Sequence, residues 1–128
     1  MIEIVGIHNV SLDVRDLEKA RTFYKDVIGL QEMERPPFQF TGAWFAIGNT
    51  GQQLHLIVHP GQTLRQGGID SRDGHFAIRV GSYRQTLEWL DRQGIPYDAR
   101  PNSTAGFPQI YVTDPDDNII ELNADRLD

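Results

Sequence analysis

The feature that most constrains the fold is an internal repeat, because the second half of the chain follows the pattern of the first. Shifting the sequence by 67 positions places His8 on His75, and shifting it by 66 positions places His55 on Glu121. Hydrophobic and turn residues around these positions agree with nearly the same offset. A repeat of about 65 residues is too long for a solenoid unit. The pattern therefore predicts a duplicated module in which equivalent strands each offer a metal-ligating residue.

Both halves predict the same order of elements, namely a strand, a helix and three further strands. In the second half, alternating apolar residues predict a strand over 76–80, Ser82 is a helix cap, and Gly94 ends the helix. In the first half, a strand over 5–14 precedes a helix that ends at Gly29. Each half is therefore a βαβββ unit.

The composition fits one ordinary globular domain. The 128 residues, of which 39% are hydrophobic, are enough to bury a core without disulfide or metal staples. The predicted organisation is a single domain over residues 1–128, with module one at about 1–60, a connector at about 60–74 and module two at about 75–128.

Charge and segment patterns exclude several classes of partner. The net charge is −6 and no run of Lys and Arg offsets it, which argues against a nucleic-acid partner. No apolar run is long enough to cross a membrane. Met1 leads into Glu3 without the charged and apolar regions of a signal peptide, so we expect a cytoplasmic protein. The chain has no cysteine, which excludes disulfides and thiolate ligands.

Strand alternation separates the repeated polar residues from the apolar core. His55, His75 and Glu121 each alternate with apolar neighbours, so they point away from the face that packs under the helices. Such a polar face is usually the solvent face of a sheet. His8 shares its face with apolar residues, which suits the wall of a partly dry cavity. Because the repeat relates all four side chains, it favours one shared site over four coincidences.

Three imidazoles and one carboxylate suit one divalent transition metal (Zn, Ni, Mn, Co or Fe(II)) rather than Ca or Mg. Four protein ligands on an octahedral ion leave two adjacent positions, which can hold two waters or a substrate that chelates through neighbouring oxygens. That geometry polarises a carbonyl, acidifies the adjacent C–H and stabilises an enediolate. Glu121 is the one carboxylate of the set and thus the candidate catalytic proton shuttle.

Three motifs carry a resemblance to a known family. They are Gly-Ile-His-Asn-Val at 6–10, Asp-Leu-Glu-Lys-Ala-Arg-Thr-Phe-Tyr-Lys-Asp-Val-Ile-Gly-Leu at 16–30, and Asp-Pro-Asp-Asp-Asn-Ile-Ile-Glu-Leu at 114–122. With them the chain resembles a glyoxalase-like member of the vicinal oxygen chelate superfamily. That superfamily groups glyoxalase I, methylmalonyl-CoA epimerase, fosfomycin-resistance enzymes, extradiol dioxygenases and bleomycin-binding proteins.

The resemblance implies an α+β fold of two βαβββ modules that form an open, barrel-like cup around one metal. It implies metal ligands at His8, His55, His75 and Glu121. It also implies a homodimer, with the site formed within one chain or exchanged between two.

The sequence departs from the family pattern at two positions. The position of His55 is typically Glu in glyoxalase I and Gln in the epimerase, which argues against glyoxalase I itself. Asp117 replaces the usual Gly of the last turn, and Asp tolerates a left-handed backbone.

Four further residues are candidates for substrate binding. Arg79 shares the face of His75 and would pair with a substrate carboxylate or phosphate, or else extend to solvent at the strand end. The aromatic candidates for an apolar pocket wall are Trp44, Phe107 and Tyr111.

These observations favour a metal-dependent lyase or isomerase that acts on a small oxygenated substrate by proton transfer next to a carbonyl. The first alternative is an Fe(II) dioxygenase, which would require ferrous iron and consume O₂, and for which His55 would be surplus. The second is a non-enzymatic dimer that binds a small molecule or a drug, as bleomycin-binding proteins do. Retention of all four ligand types places this binder last.

Overall fold

The computed structural model describes residues 1, 3–59 and 68–128. The chain separates into two compact units, Met1–Leu64 and Arg65–Asp128. In the described residues each unit contains one four-stranded mixed sheet and a helical segment between its first two strands. The predicted α+β class with two βαβββ modules is therefore confirmed. Half of the predicted connector, residues 60–67, lies outside the described residues.

Unit one is built around a parallel pair formed by its first and last strands. The elements are β1 (Asn9–Val14), α1 (Leu17–Thr22), a π-helical segment (Phe23–Ile28), β2 (Gln31–Met33), β3 (Gly42–Ala46) and β4 (Gln53–Val58). The sheet has the order β1-β4-β3-β2, with β1 parallel to β4 and the other neighbours antiparallel. The helix α1 lies between β1 and β2 in the chain and packs on β3 and β4.

The helical segment of unit one begins and ends where the sequence predicts. The side chain of Asp16 accepts a hydrogen bond from the backbone nitrogen of Lys19 (3.2 Å), and Gly29 ends the π-helical turn with a φ of 88°. The core of the unit consists of fully buried Val14, Ala20, Tyr24, Phe45, Leu54 and Leu56.

The first strand is shorter than the predicted 5–14, because its partner strand begins late. Pairing starts at Asn9 opposite Gln53, and the Gln53 nitrogen donates to the carbonyl of His8 (3.0 Å). The preceding residues of the partner form a turn over 48–51, so residues 5–7 have no strand of this sheet beside them. Ile4, Val5 and Ile7 are consequently exposed.

Unit two repeats the same topology. The elements are β5 (His75–Arg79), α2 (Tyr83–Gln93), β6 (Asp98–Arg100), β7 (Gln109–Thr113) and β8 (Ile119–Asn123). The sheet has the order β5-β8-β7-β6, again with the first and last strands parallel. The predicted helix cap is present, because the Ser82 hydroxyl accepts a hydrogen bond from the Gln85 nitrogen (3.1 Å). The helix stops at Gly94, whose φ is 68°.

The two central strands of unit two are buried on both faces. One face is apolar, and the other carries polar side chains that are nonetheless almost inaccessible. The polar members are Gln109 (8% exposed), Tyr111 (3%), Glu121 (5%) and Asn123 (6%). This face is therefore not the ordinary solvent face of a sheet. Among the described residues, no helix has both the length and the apolar character required to cross a bilayer.

Candidate metal centre

The predicted ligands of unit two form a close pair across the parallel strands β5 and β8. His75 Nε2 lies 3.3 Å from Glu121 Oε1. The register pairs Ala77 with Glu121, so that the imidazole reaches the carboxylate diagonally on the same face. Two strands brought together by the fold thus position two residues that are distant in sequence.

The environment of His75 fixes the position of one ring proton and the nitrogen that faces the carboxylate. Nδ1 lies 2.8 Å from the carbonyl oxygen of Asp73, and a carbonyl can only accept, so Nδ1 carries the proton. Nε2 faces Glu121 Oε1, and a carboxylate oxygen can only accept. Nε2 therefore either donates a second ring proton to the carboxylate or offers a lone pair to a cation held between the two atoms. A ligating imidazole whose other N–H binds a backbone carbonyl is a common arrangement at metal sites.

The separation of these two atoms also suits a metal. Two ligands that are each about 2.1 Å from a divalent ion, at tetrahedral or octahedral angles, lie roughly 3.0–3.4 Å apart. The 3.3 Å between His75 Nε2 and Glu121 Oε1 falls in that range. The donor chemistry of this pair therefore fits a borderline divalent cation.

Glu121 is held by a hydrogen-bond network on the buried polar face. The Tyr111 hydroxyl donates to Oε1 (3.1 Å), and the Asn123 amide donates to Oε2 (2.7 Å). Burial opposes ionisation of Glu121, but hydrogen bonds from Asn123, Gln109, Tyr111 and His75 outweigh it and hold the pKa of Glu121 below its ordinary value. Burial, and then the carboxylate, raise the pKa of Tyr111, so the hydroxyl remains a donor.

The predicted ligands of unit one also form a pair. The rings of His8 and His55 are 6.4 Å apart between centroids, in an edge-to-face arrangement. His55 Nε2 donates to Gln53 Oε1 (2.8 Å), which leaves the lone pair on Nδ1, and the ring stacks on Trp44 at 4.0 Å with an interplanar angle of 4°. Burial, and then the neighbouring His8 and Arg35, lower the pKa of His55 and favour the neutral ring that a metal requires.

Strand register makes Asn9, rather than His8, the structural counterpart of His75. Asn9 pairs with Gln53 at the start of β4, and His75 pairs with Ile119 at the start of β8. His8 lies one residue before β1, where the Asn9 amide donates to its Nδ1 (2.9 Å). This offset explains why the two histidines align at a shift of 67 while the last strands align at 66.

The four predicted metal ligands thus divide into two pairs, one in each unit. Over residues 1, 3–59 and 68–128, no three or more His, Asp or Glu side chains gather in a way that could hold a metal. The set of His8, His55, His75 and Glu121 stays a prediction.

The predicted substrate-binding residues lie beside the ligand pairs or are linked to them. Trp44 stacks on His55, and Tyr111 donates to Glu121. Arg79 donates from Nε to Asn123 Oδ1 (2.6 Å) and lies 5.5 Å from the ring of Phe107. Arg79 Nη1 also lies 3.5 Å from Asp125 Oδ1, so part of its charge is already paired. Contact of these four residues with a substrate stays a prediction.

Sequence reasoning missed the polar residues that contact the predicted ligands. Gln53 and Asn123 lie two positions from His55 and Glu121, and strand alternation could have identified both as neighbours on the same face. Gln109 could be placed only through the β7–β8 register. The guanidinium of Arg35 comes from a loop, and no periodic signal indicated it.

Comparisons with known proteins agree with the fold. The sequence profile of the Glyoxalase/Bleomycin resistance protein/Dioxygenase superfamily matches residues 6–122. The lactoylglutathione lyase of Neisseria meningitidis serogroup A is 30% identical over 117 residues, which are 87% of this chain and 84% of that protein.

Two solved structures have the same fold. A protein assigned to the glyoxalase family from Bacillus anthracis superposes with a TM-score of 0.78 at 27% identity, covering 97% of this chain and 98% of the other. A point mutant of the fosfomycin resistance protein FosX from Listeria monocytogenes, complexed with Mn(II) and 1S,2S-dihydroxypropylphosphonic acid, superposes with a TM-score of 0.72 at 22% identity, covering 97% and 93%.

Proposed function

This chain belongs to the glyoxalase/bleomycin resistance protein/dioxygenase superfamily, and from that premise we propose that it is a metal-dependent lyase or isomerase. Its substrate is a small oxygenated molecule, and its reaction moves a proton next to a carbonyl. The observation that carries the proposal is the contact between His75 Nε2 and Glu121 Oε1, which lie 3.3 Å apart, with the carboxylate buried.

The metal ligands in this proposal are His8, His55, His75 and Glu121. Similarity to a lactoylglutathione lyase supports the reaction class, and the Mn(II) in the FosX complex supports a divalent ion. A bound Zn, Ni, Mn, Co or Fe(II) would supply Lewis acidity toward a substrate carbonyl.

The residues of the chain would supply orientation and proton transfer. The Asp73 carbonyl holds the imidazole of His75, while Tyr111 and Asn123 hold the two oxygens of Glu121. Glu121 would accept the proton at a carboxylate oxygen and return it to the neighbouring carbon.

The metal content of the purified protein tests the proposed metal site directly. Tag-free wild-type protein should contain about one transition metal per chain by elemental analysis, and His75→Ala should contain much less. The matched control is His59→Ala, because His59 is the one histidine outside the proposed set, and its Nε2 lies 3.4 Å from Asp13. Absence of metal in the wild type, even after reloading with Zn, Ni, Mn and Fe(II), would refute the proposed enzyme.

Exchange of the substrate proton next to the carbonyl tests the proposed reaction class. NMR in D₂O would follow loss of the proton next to the carbonyl in a panel of 2-oxoaldehyde hemithioacetals and 2-substituted thioesters. Wild-type protein should accelerate exchange for one member, and Glu121→Gln should abolish it while the far-UV circular dichroism spectrum is unchanged. Strict dependence on Fe(II) with O₂ uptake would indicate a dioxygenase instead, and ligand binding without any metal would indicate a binding protein.

We also propose that the protein is a homodimer with a small-molecule substrate as its ligand. Members with this architecture bury sheet edges by pairing, within a chain or between two chains. Light scattering of the metal-loaded protein should give twice the chain mass of 14.5 kDa. A monomeric mass at micromolar concentration would contradict the dimer.

A further inference from the structure

Arg35 is an arginine held in place by its own loop. Its guanidinium carbon lies 4.9 Å from the centroid of the Phe38 ring and 5.0 Å from that of Phe40. Its Nη2 donates to the carbonyl of Phe40 (2.8 Å). Cation–π contacts and this hydrogen bond together fix the orientation of the guanidinium.

Arg35 forms no ion pair with a carboxylate among the described residues. Its Nε is buried without a hydrogen-bond partner there. Other arginines do form ion pairs with Asp or Glu, among them Arg21, Arg72, Arg79, Arg84 and Arg100. A buried donor without an acceptor is unfavourable, and an oxygen acceptor from a ligand would relieve that cost.

A series of aromatic contacts connects Arg35 to the predicted ligand pair of unit one. The rings of Phe38 and Trp44 are 6.0 Å apart, and Trp44 stacks on His55. Arg35 Nη2 also lies beside the start of β3, because a Cβ at position 42 would be 3.0 Å from it. Trp44 therefore contacts both the imidazole of His55 and the Phe38 ring on which the guanidinium packs.

We propose that Arg35, Phe38 and Trp44 form a subsite for an oxyanion, either a carboxylate or a phosphonate, carried by a ligand with a flat apolar group. A guanidinium offers a planar fork of donors that matches both anions, and the two rings provide the apolar surface. The subsite deepens the proposed function by naming a substrate class, and it rests on that function only insofar as the bound anion is the substrate.

Access to the buried Nε requires a small movement of the loop. Phe38 is 45% exposed and Phe40 is 47% exposed, so either ring can shift without opening the core. When an anion binds, the guanidinium of Arg35 would lose part of its contact with the phenylalanine rings and would donate two charge-assisted hydrogen bonds to the anion.

Fluorescence of metal-free protein tests anion binding separately from metal binding. The chain has two tryptophans, Trp44 and Trp89, so a Trp89→Phe background reports on Trp44 alone. The probes are benzoate, phenylphosphonate and the neutral analogue benzamide, titrated in the presence of a chelator. At least one of the two anions should change the Trp44 emission saturably and bind about tenfold or more tightly than benzamide.

Substitution of Arg35 should remove that preference. Arg35→Met should lower the affinity for the anion about tenfold, to the affinity measured for benzamide. Arg35→Lys should retain part of the anion affinity. The control is Arg92→Met, which removes an equal charge from α2. In the wild type the Arg92 guanidinium lies 5.9 Å from the ring of Trp89. Far-UV circular dichroism and the melting temperature would establish that each variant is folded.

Equal binding of anions and benzamide, undiminished anion binding in both Arg35 variants, or no saturable binding of either anion would overturn the subsite. Because these titrations contain no metal, such a failure is distinct from failure of the metal analysis of His75→Ala.

Discussion

At the scale of single residues, the proposed metal ligands are held by side chains that would not touch a metal themselves. The Tyr111 hydroxyl donates to Glu121 Oε1 (3.1 Å), and removal of such a supporting group usually lowers metal affinity about 10–100-fold. We therefore expect Tyr111→Phe to lower metal affinity to that extent, as measured by competition with a chelator, with the fold retained. Tyr97→Phe, which removes a donor to Asp91 on the same unit, should leave metal affinity unchanged. Equal affinity in the two variants would contradict a supporting role for Tyr111.

A second residue-scale prediction follows from strand register. Asn9 occupies the position equivalent to His75, and His8 lies one residue before the strand. Because imidazole binds borderline metals better than an amide does, Asn9→His should tighten metal binding about tenfold. In that background His8→Ala should have little effect on the affinity, measured by the same competition. A weaker affinity in Asn9→His would show that Asn9 serves to orient His8 instead.

At the scale of elements, local signals predicted most of the architecture. The capped start of α2 at Ser82 and its end at Gly94 follow from residue types that act within one helical turn. The prediction that β1 begins at residue 5 was wrong, because a strand needs a partner and the facing segment before Gln53 is a turn. The alternation that placed Glu121 on a polar face was correct, but its burial depends on tertiary packing that periodicity does not report.

The close approach of β3 and β4 gives an element-scale prediction. A Cβ at position 42 would lie 2.2 Å from the carbonyl oxygen of Leu56 and 3.0 Å from Nη2 of Arg35. Gly42→Ala should therefore lower the free energy of unfolding by about 1–3 kcal/mol, measured by urea denaturation. Gly81→Ala is the control, since a Cβ there would meet no described atom within 4 Å. An unchanged urea midpoint in Gly42→Ala would show that the strands separate without cost.

At the scale of the whole molecule, the internal repeat makes a prediction about stoichiometry. If the pairs in units one and two serve one ion, titration with Ni or Zn should saturate at one ion per chain, whether the two pairs come from one chain or from two. His55→Ala and His75→Ala should then each abolish tight binding, although they alter different units. In the wild type, an ion at about a hundredfold excess over its Kd should stabilise the fold by about 2.7 kcal/mol. Two ions per chain, with one lost in each variant, would indicate two separate sites.

The parallel pairing of first and last strands has an evolutionary consequence. His75 and Glu121 are separated by 46 positions in sequence, yet their spacing is set by two adjacent strands about 4.8 Å apart. The loops between those strands can therefore lengthen, shorten or diverge by mutation while the pair is preserved. Descendants of such a chain can acquire new substrates through their loops, and selection need not rebuild the reactive pair each time.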